Sequence, residues 1–401
     1  MKMARGALKV VVIGAGISGL FLSYYLLRDG HDVVVADASR GSVRTSEFNA
    51  GQLSTRPSFT DIFSPSGSVR VSQAEKRRNR DWFRIARRQT AERYEETGIP
   101  LSIRSLALYE KFFAKESAEL DLREEVLDLH TTLPADRKGR AGRFLTPREL
   151  SELGYLGFEG GWLAEERSLH SGKLLGHLRS RVAGMGGRFI EGEARLHSAG
   201  RRISRAVVGG KELSAEAYVV AAGSWSREVC RPLGYDPMVI PARGLVLFCR
   251  TNRKRVIDLP SHYDDEGVTA TQHDQDTLRF TSFFELVGYL PQFSRSSTAW
   301  LFKTATSHFS RPCALEVSQT GVGFRPSTPD QLPLVGRIPR CENGYVLAGA
   351  TRKGMALAPV LGKLVIDSIF GPGGRPDPML RALDPIRFER AGKASWSRPK
   401  F

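Results

Sequence analysis

Three glycines and one aspartate near the start of the chain have the spacing of a dinucleotide-binding turn. The stretch Gly14-Ala15-Gly16-Ile17-Ser18-Gly19 has the pattern G-x-G-x-x-G, and Asp37 follows it. The first glycine permits a tight turn, the second lets the backbone approach a pyrophosphate, and the third lets a helix pack closely on a strand. Free amides at the helix start favour phosphate, and a carboxylate in the position of Asp37 accepts ribose hydroxyls. The sequence therefore predicts a site for an ADP-containing dinucleotide.

The elements around this turn are those of a βαβ unit. The apolar run 10–13 predicts a strand buried on both faces, and the apolar positions of 20–27 predict a helix that Gly30 ends. The run 33–35 predicts a second strand, which leads to Asp37. A glycine-rich turn without a ligand does not explain why Asp37 stands at that place.

Composition and length indicate an ordinary globular protein. The 401 residues predict roughly two or three structural domains, and 41% hydrophobic with 25% charged residues is typical of soluble chains. The four cysteines, at 230, 249, 313 and 341, show no C-x-x-C spacing. They predict reduced thiols and no metal site. We also expect no signal peptide and no transmembrane helix, because the polar N-terminus is short and no apolar stretch is long enough.

The chain is strongly basic, with a formal net charge of +16. Basic residues cluster in 76–80 and again in 84–93. Since no nucleic-acid-binding motif accompanies them, we expect no nucleic acid partner. A solvated helix face is the simplest interpretation, and attraction to an anionic membrane surface or an acidic redox partner is the alternative. The expected location is therefore the cytoplasm. If the basic residues bind a membrane, the protein is expected at the inner face of the cell membrane as a peripheral protein.

The remainder of the chain alternates predicted helices, strands and loops. Residues 38–75 predict a long loop of functional character, because long loops in compact domains usually serve a site. Helices are predicted over 73–98, 114–128, 146–154, 170–185 and 356–369, and the spacing of Thr146 and Glu149 predicts a capping box. Strands are predicted over 101–109, 160–163, 188–192, 195–208, 217–222, 244–249, 268–271, 278–284 and 300–302. His262, His273 and His308 lie in or near the sheet predicted over 241–302 and are interpreted as surface or core residues.

Five motifs in order resemble those of the FAD-dependent D-amino acid oxidase superfamily, and the resemblance covers nearly the whole chain. They are GAGISG at 14–19 with Asp37, TSEFNAGQLS at 45–54, YVVAAGSWS at 218–226, GFRPSTPDQLPLVG at 323–336 and GATRKGMALAP at 349–359. The superfamily includes D-amino acid dehydrogenase, glycine oxidase, sarcosine oxidase and related proline dehydrogenases. The stretch NAGQLS is most similar to the D-amino acid dehydrogenase branch, and GATRKGMALAP to glycine oxidase.

The resemblance implies an α/β fold with two discontinuous domains. An FAD-binding, Rossmann-like domain of the glutathione reductase type is expected from 1–75, 145–232 and 321–390. An inserted α+β substrate domain, built on an antiparallel or mixed sheet, is expected from 76–144 and 233–320. Residues 391–401 are expected to form a basic, poorly ordered tail.

The resemblance also implies which residues hold FAD. The predicted contacts are Gly14, Ala15, Gly16, Ile17, Ser18, Gly19, Asp37, Ala38, Arg44, Thr45, Ser46, Asn49, Ala50, Gly51, Gln52, Ala194, Ala222, Gly223, Trp225, Gly349, Arg352, Lys353, Gly354, Met355 and Ala356. The helix start at 354–356 is expected beside the pyrimidine ring, where its positive end stabilises negative charge on the reduced flavin. Members with covalent flavin carry a cysteine near the position of Gly323, so we expect FAD to be bound non-covalently here.

The implied substrate is an amino acid, and the implied reaction is hydride transfer from its α carbon to the flavin. Arg325 matches the position whose guanidinium pairs with the substrate carboxylate, and a salt bridge to Asp330 is the structural alternative. Arg352 is expected to face the flavin, and Tyr289 and Glu285 are candidate wall residues of the pocket. No acid–base side chain is assigned, because catalysis of this kind depends mainly on orientation.

Three functions remain open at this stage. The first is a dehydrogenase of a D-amino acid or of a proline-type or hydroxyproline-type substrate that passes electrons to a quinone or a dye-like acceptor. The second is an oxygen-using amino acid oxidase, similar to glycine oxidase. The third is the flavin subunit of a heteromeric dehydrogenase complex. Many members have Gly-His-Gly where this chain has Gly349-Ala350-Thr351, which bears on the choice of acceptor.

Overall fold

The computed structural model describes residues 6–38, 45–56, 58–63, 69–114, 120–135, 142–371 and 377–391. Its strands are, in chain order, β1 Lys9–Ile13, β2 Asp32–Asp37, β3 Gln52–Leu53, β4 Val69–Val71, β5 Val126–His130, β6 Arg143–Leu145, β7 Gly160–Ala164, β8 Arg167–Ser168, β9 Arg188–Glu191, β10 Ala194–Ala199, β11 Arg202–Val208, β12 Lys211–Leu213, β13 Ala217–Val220, β14 Ile240–Thr251, β15 Ser261–Tyr263, β16 Val268–Thr271, β17 Thr277–Leu286, β18 Leu315–Ser327, β19 Leu334–Arg337 and β20 Gly344–Ala348. Its α-helices are α1 Ile17–Arg28, α2 Gln73–Arg78, α3 Arg80–Ala86, α4 Ala91–Phe113, α5 Pro147–Glu152, α6 Ser171–Gly184, α7 Ser226–Cys230, α8 Arg295–Thr306, α9 Gly354–Phe370, α10 Pro378–Ala382 and α11 Arg387–Ala391.

A six-stranded sheet with the order β19-β20-β13-β1-β2-β9 carries the predicted βαβ unit at its centre. All its pairs are parallel except β19 with β20. Strand β1 is apolar throughout because both faces are covered. Val10 and Val12 pack with residues of α1, α4 and α9, whereas Val11 and Ile13 pack with residues of the three-stranded sheet β10-β11-β12. The predicted α/β fold is thereby confirmed.

A second, mixed sheet of nine strands has the order β18-β14-β17-β16-β15-β5-β7-β6, with β4 paired to β17. The pairs β5 with β15 and β4 with β17 are parallel, and the others are antiparallel. Buried apolar residues of α5 and α8, among them Leu150 and Leu301, pack on this sheet. The predicted antiparallel or mixed sheet is therefore present, and it faces the carboxyl ends of the six-stranded sheet across a cavity.

Three local predictions were wrong. Residues 101–109 are not a strand but lie inside α4, which continues through Pro100; its buried Leu101, Ser105 and Tyr109 follow a helical period. Residues 300–302 belong to α8, whose first turn is capped by the Ser294 side chain. Residues 126–128 form part of β5 and not of a helix, because this segment pairs with β7 and β15. The predicted capping box of Thr146 and Glu149 is present.

The sheets also divide the chain differently from the predicted domain boundaries. Strand β7 belongs to the nine-stranded sheet, although 145–232 was assigned to the cofactor domain. Helix α4 packs beside α9, and its Tyr109 hydroxyl donates to the Met355 carbonyl at 2.6 Å, although 76–144 was assigned to the substrate domain. The predicted tail 391–401 lies outside the described residues, apart from the backbone of Ala391. No helix in the described part of the chain is long and apolar enough to cross a membrane.

Candidate active site

A cavity of about 1210 Å³ lies between the two large sheets. Strands β1, β2, β13 and β20 contribute the residues at their carboxyl ends, where open α/β sheets bind ligands. The predicted cofactor residues that line it are Gly14, Ala15, Gly16, Ile17, Ser18, Asp37, Ala38, Thr45, Ser46, Asn49, Ala50, Gln52, Ala194, Ala222, Gly223, Trp225, Gly349, Arg352, Gly354 and Met355. Gly19, Gly51, Lys353 and Ala356 are not among the lining residues, and Arg44 lies outside the described residues.

The three glycines of the β1–α1 turn have separate roles. Gly14 has a φ of 116°, and a Cβ there would lie 2.3 Å from the Ala221 carbonyl oxygen. A Cβ on Gly19 would lie 2.0 Å from the Gly14 carbonyl oxygen, so this glycine lets α1 approach β1. Gly16 is different, because its added Cβ would meet only the Ser46 hydroxyl, at 3.3 Å. Gly14 and Gly19 therefore serve packing, while Gly16 keeps the turn accessible from the cavity.

The amides of this turn are fixed by two side chains. The Ala15 N–H donates to Asp37 Oδ2 at 2.6 Å, and the Ile17 N–H donates to Ser46 Oγ at 3.2 Å. Helix α1 begins at Ile17 with no acidic residue in its first turn and no side-chain cap on Gly16. The positive end of the helix dipole therefore faces the cavity, and no carboxylate in the first turn of α1 offsets it. This arrangement suits a phosphate group.

The segment 45–53 forms one wall of the cavity. At one end, Thr45 Oγ1 accepts from the Phe324 N–H at 2.8 Å and donates to the Phe324 carbonyl at 3.1 Å. At the other end, Gly51 has a φ of 78°, and its absent Cβ would lie 1.8 Å from the Leu169 carbonyl oxygen. The part of the predicted loop 38–75 that borders the cavity is thus anchored at Thr45 and at Gly51.

The opposite wall is made by the turn after β13 and the start of α9. Gly223 has a φ of 57° and begins a 3-10 turn that brings Trp225 to the cavity. Lys353 lies behind the start of α9, where its Nζ donates to the Ser54 carbonyl at 2.7 Å. Burial lowers the pKa of Lys353 to about 8. This lysine therefore joins α9 to the segment that follows β3 without entering the cavity.

Arg325 projects from β18 toward the cavity and has no carboxylate partner among the described residues. Its Nη1 donates to the Phe283 carbonyl at 2.7 Å, and its guanidinium lies on Gly244, where a Cβ would be 2.3–2.7 Å from three of its atoms. The alternative salt bridge to Asp330 is wrong, because Asp330 pairs with Arg387 at 2.8 Å. Burial, and then the charge of Arg352, lower the pKa of Arg325 to about 9.

Arg352 lines the same cavity as Arg325. Its Nη1 donates to Thr60 Oγ1 at 3.3 Å, and burial lowers its pKa below the usual range. Two non-glycine residues in left-handed backbone conformations support the two arginines: Phe283 (φ 71°) supplies the carbonyl to Arg325, and Thr351 (φ 46°) precedes Arg352. Such conformations are costly and cluster at functional sites. The backbone is therefore strained at the two residues that position Arg325 and Arg352.

Glu285 and Tyr289, the two candidate wall residues, are not in the lining. Glu285 is buried and accepts from Arg243 Nε at 2.6 Å. The Tyr289 ring stacks on Trp225 with centroids 5.5 Å apart, and its hydroxyl donates to the Ser224 carbonyl at 2.7 Å. Because Glu285 is held by Arg243 and Tyr289 lies on the far side of Trp225, both support the wall from behind.

The structure adds cavity residues that sequence reasoning missed, notably His262 and Asp264. They stand two positions apart at the end of β15, so they share one face of the strand. His262 Nδ1 lies 3.2 Å from Thr269 Oγ1, and burial followed by the charge of Arg352 lowers its pKa to about 4. The two-residue spacing of His262 and Asp264 in the sequence is the signal that could have placed them on one face of a strand. Nitrogen and oxygen atoms of Asp264, Asp265 and His130 also lie within 4.8 Å of one another, but exposed acids often cluster without a metal.

Comparison with known proteins gives one family and consistent structural neighbours. The model of a family described as FAD dependent oxidoreductase (DAO) matches residues 9–368. The D-amino acid dehydrogenase of Methylobacterium nodulans is 28% identical over 91% of this chain and 96% of its own length. Iminodiacetate oxidase from Chelativorans sp. BNC1 superposes with a TM-score of 0.73 at 17% identity, covering 94% of this chain and 98% of that one. L-Proline dehydrogenase from P. horikoshii gives 0.72 at 18% identity, covering 96% and 99%.

Proposed function

Because the chain belongs to the DAO family of FAD-dependent oxidoreductases, with FAD as its cofactor, we propose that it dehydrogenates an amino acid at the α carbon. The observation that carries this proposal is Arg325, whose guanidinium has no carboxylate partner in the described residues. A planar guanidinium pairs bidentately with a carboxylate, which gives both affinity and orientation. The name of the Methylobacterium nodulans relative favours a D-amino acid, and the neighbouring proline dehydrogenase keeps a proline-type or hydroxyproline-type substrate open.

The lining fits FAD on three grounds. The cavity exceeds the volume usual for a small ligand, roughly 300–1,000 Å³, and so has room for a dinucleotide with a substrate. The β1–α1 turn leaves open space at Gly16, because a Cβ added to Gly16 would contact only the Ser46 hydroxyl. The four cysteines all lie in the described part of the chain and none of them lines the cavity, which supports non-covalent binding. In this proposal the turn and Asp37 hold the ADP half, while segment 45–53 and the start of α9 hold the flavin.

Bound FAD supplies the hydride acceptor for this reaction. Arg325 holds the substrate carboxylate, and the Phe283 carbonyl holds Arg325, so the α carbon is fixed relative to the wall of segment 45–53. His262 stays neutral near pH 7 and adds no third positive charge beside the two arginines. Loss of hydride from the neutral amine leaves an iminium ion, which leaves the protein and reacts with water to give a keto acid and ammonium or an amine, or remains cyclic if the substrate is a ring amine.

Anaerobic mixing with a substrate panel tests the proposed function. The purified protein is mixed with D- and L-amino acids, proline, hydroxyproline, glycine and sarcosine, and the flavin absorbance is followed before and after air is admitted. Bleaching by one class identifies the substrate, and slow recovery in air indicates a dehydrogenase. Fast recovery supports the oxidase, which the name of iminodiacetate oxidase favours. A yellow protein that nothing bleaches supports the flavin-subunit alternative.

We further propose that a quinone in an anionic membrane is the electron acceptor. Arginines 77, 78, 80, 84, 87 and 88 of α2, α3 and the turn after them are exposed. Arg87 lies over the exposed Phe63 ring at 5.4 Å, and Val69 in the preceding strand lines the cavity. This basic surface is thus close to the cavity and suits anionic lipid headgroups. Salt-sensitive sedimentation with anionic but not neutral vesicles is expected, and equal binding to both would refute the proposal.

Replacing Gly244 with alanine is expected to raise KM for the identified substrate roughly 30-fold, which corresponds to about 2 kcal/mol. The new Cβ would overlap the Arg325 guanidinium and displace it from the Phe283 carbonyl. The affinity for FAD is expected to stay unchanged. In a protein that already carries Arg325→Ala, Gly244→Ala should add almost nothing, because the two changes act on one contact. Full additivity would show that Gly244 acts through something other than Arg325.

A further inference from the structure

Arg279 is a buried cation that the proposed reaction does not use. It lies on β17, is 7% exposed, and is absent from the cavity lining. Its guanidinium packs on the Phe248 ring with 4.9 Å to the centroid, and no carboxylate in the described chain lies within ion-pair distance of it. Burial lowers the pKa of Arg279 only to about 10, so it remains charged at neutral pH. A buried charge of this kind is costly unless it is hydrogen-bonded, so the presence of Arg279 at this position requires an explanation.

The bonds of Arg279 go to the rear of segment 45–53. Its Nη1 donates to the Asn49 carbonyl at 2.7 Å, to the Glu47 carbonyl at 3.4 Å and to Ser171 Oγ at 2.8 Å. Ser171 Oγ in turn lies 2.7 Å and 2.9 Å from the same two carbonyl oxygens. Arg279 and Ser171 come from the nine-stranded sheet and from α6, so two distant elements meet on two peptide groups of one segment.

The direction of these carbonyls determines the direction of an amide. In a trans peptide the C=O and the following N–H point to opposite sides. The Asn49 carbonyl points toward Arg279, away from the cavity, so the Ala50 N–H points to the cavity side. Ala50 itself lines the cavity, and its amide has no partner in the described part of the chain. The Gly51 N–H, by contrast, is satisfied by Asn49 Oδ1 at 2.7 Å.

We propose that Arg279 and Ser171 are positioning residues that hold the Asn49–Ala50 peptide with its N–H toward the flavin of bound FAD. The inference rests on the proposed function, in which FAD occupies this cavity. Arg279 also brings a fixed positive charge behind the flavin wall, and such a charge favours the reduced, more negative flavin. Both effects act through the backbone of segment 45–53 and not through contact between Arg279 and substrate.

The test compares Arg279→Gln, Arg279→Lys and Ser171→Ala with Arg250→Gln, which removes an exposed arginine from the neighbouring β14. FAD is titrated into apoprotein by fluorescence quenching, and the visible spectrum and midpoint potential are then measured at saturating FAD. We expect Arg279→Gln to weaken FAD binding at least tenfold, shift the flavin absorption band and make the potential more negative. Arg279→Lys should restore the potential but not the full affinity, because one ammonium cannot replace the fork. Arg250→Gln should match the unmodified protein.

Circular dichroism and the melting temperature of each apoprotein separate positioning from misfolding. If Arg279→Gln does not fold, Ser171→Ala and Arg279→Lys decide the question, with a threefold or greater loss of FAD affinity expected for Ser171→Ala. Unchanged affinity, spectrum and potential in the folded variants would overturn the inference. None of these readouts needs a substrate, so failure of every amino acid to bleach the unmodified protein would count against the proposed function alone. An unmodified apoprotein that takes up no FAD would overturn both.

Discussion

Replacing Arg325 with alanine is expected to raise KM for the amino acid substrate roughly 100-fold or more while FAD remains bound. The expectation follows from the loss of charge-assisted hydrogen bonds to a carboxylate, which contribute about 1.5–3 kcal/mol each. Arg325 has only the Phe283 carbonyl as a partner, so its removal breaks no internal ion pair in the described residues. Steady-state kinetics with the substrate identified by anaerobic bleaching give KM, and FAD titration gives the cofactor affinity.

Two further variants make this prediction specific. Arg325→Lys keeps the charge but loses the planar fork, and an intermediate KM is expected from it. Arg195→Ala removes another arginine that lines the cavity, close to Ala194 and therefore on the dinucleotide side, and the substrate KM should stay unchanged. If Arg325→Ala leaves KM unchanged, or if Arg195→Ala raises it equally, Arg325 does not hold the substrate carboxylate.

The dinucleotide turn could be predicted from sequence because its determinants are local. Three glycines, the apolar run before them and Asp37 lie within one βαβ unit, and β1, α1 and β2 form as predicted. Each glycine of the motif is needed for a different backbone geometry. In the structure, a Cβ on Gly14 or Gly19 would clash with a backbone carbonyl oxygen, as their spacing in the motif implies. A short-range pattern therefore fixed both the elements and the ligand class.

The end of the cavity at Arg325, where we propose that the substrate binds, depends on contacts that no local pattern contains. Arg325 is positioned by Gly244 on β14 and by Phe283 on β17, two strands far from it in sequence. Its role could be predicted only through the resemblance to a family. The same holds for Glu285 and Tyr289, which appear as wall candidates in the sequence but are held behind the wall by Arg243 and Trp225.

The wrong secondary-structure predictions have a common physical cause. The predicted helix ends at Gly98, yet α4 continues through Gly98 and Pro100 because Tyr94, Leu101 and Tyr109 are buried against the cofactor side of the protein. Tertiary burial outweighs the cost of about 3 kcal/mol that a proline brings to a helix interior. The sheet membership of β7 and the packing of α4 beside α9 have the same cause, since long-range packing and not sequence position decides which layer an element joins.

Replacing Gly16 with valine is expected to raise the dissociation constant for FAD roughly 1,000-fold. The backbone of Gly16 has a φ of −71°, which valine can adopt, and an added Cβ would meet only Ser46 Oγ at 3.3 Å. The two further methyl groups would occupy the space from which a pyrophosphate approaches the backbone of Gly16 and the start of α1. Losing two or more hydrogen bonds to a charged group costs about 4 kcal/mol, which gives the expected factor.

The apoprotein of this variant should remain folded, and that separates Gly16 from its neighbours. Loss of glycine at the helix start is expected to cost about 1 kcal/mol of unfolding free energy, measured by chemical denaturation. Gly14→Ala is expected to destabilise the fold itself, because the Cβ would lie 2.3 Å from the Ala221 carbonyl oxygen at a φ of 116°. Gly184→Val, near the end of α6 and with nothing within 4 Å of its added Cβ, serves as the matched control and should bind FAD normally. A folded Gly16→Val protein that binds FAD with unchanged affinity would place the pyrophosphate elsewhere, and the assignment of the turn would then have to be abandoned.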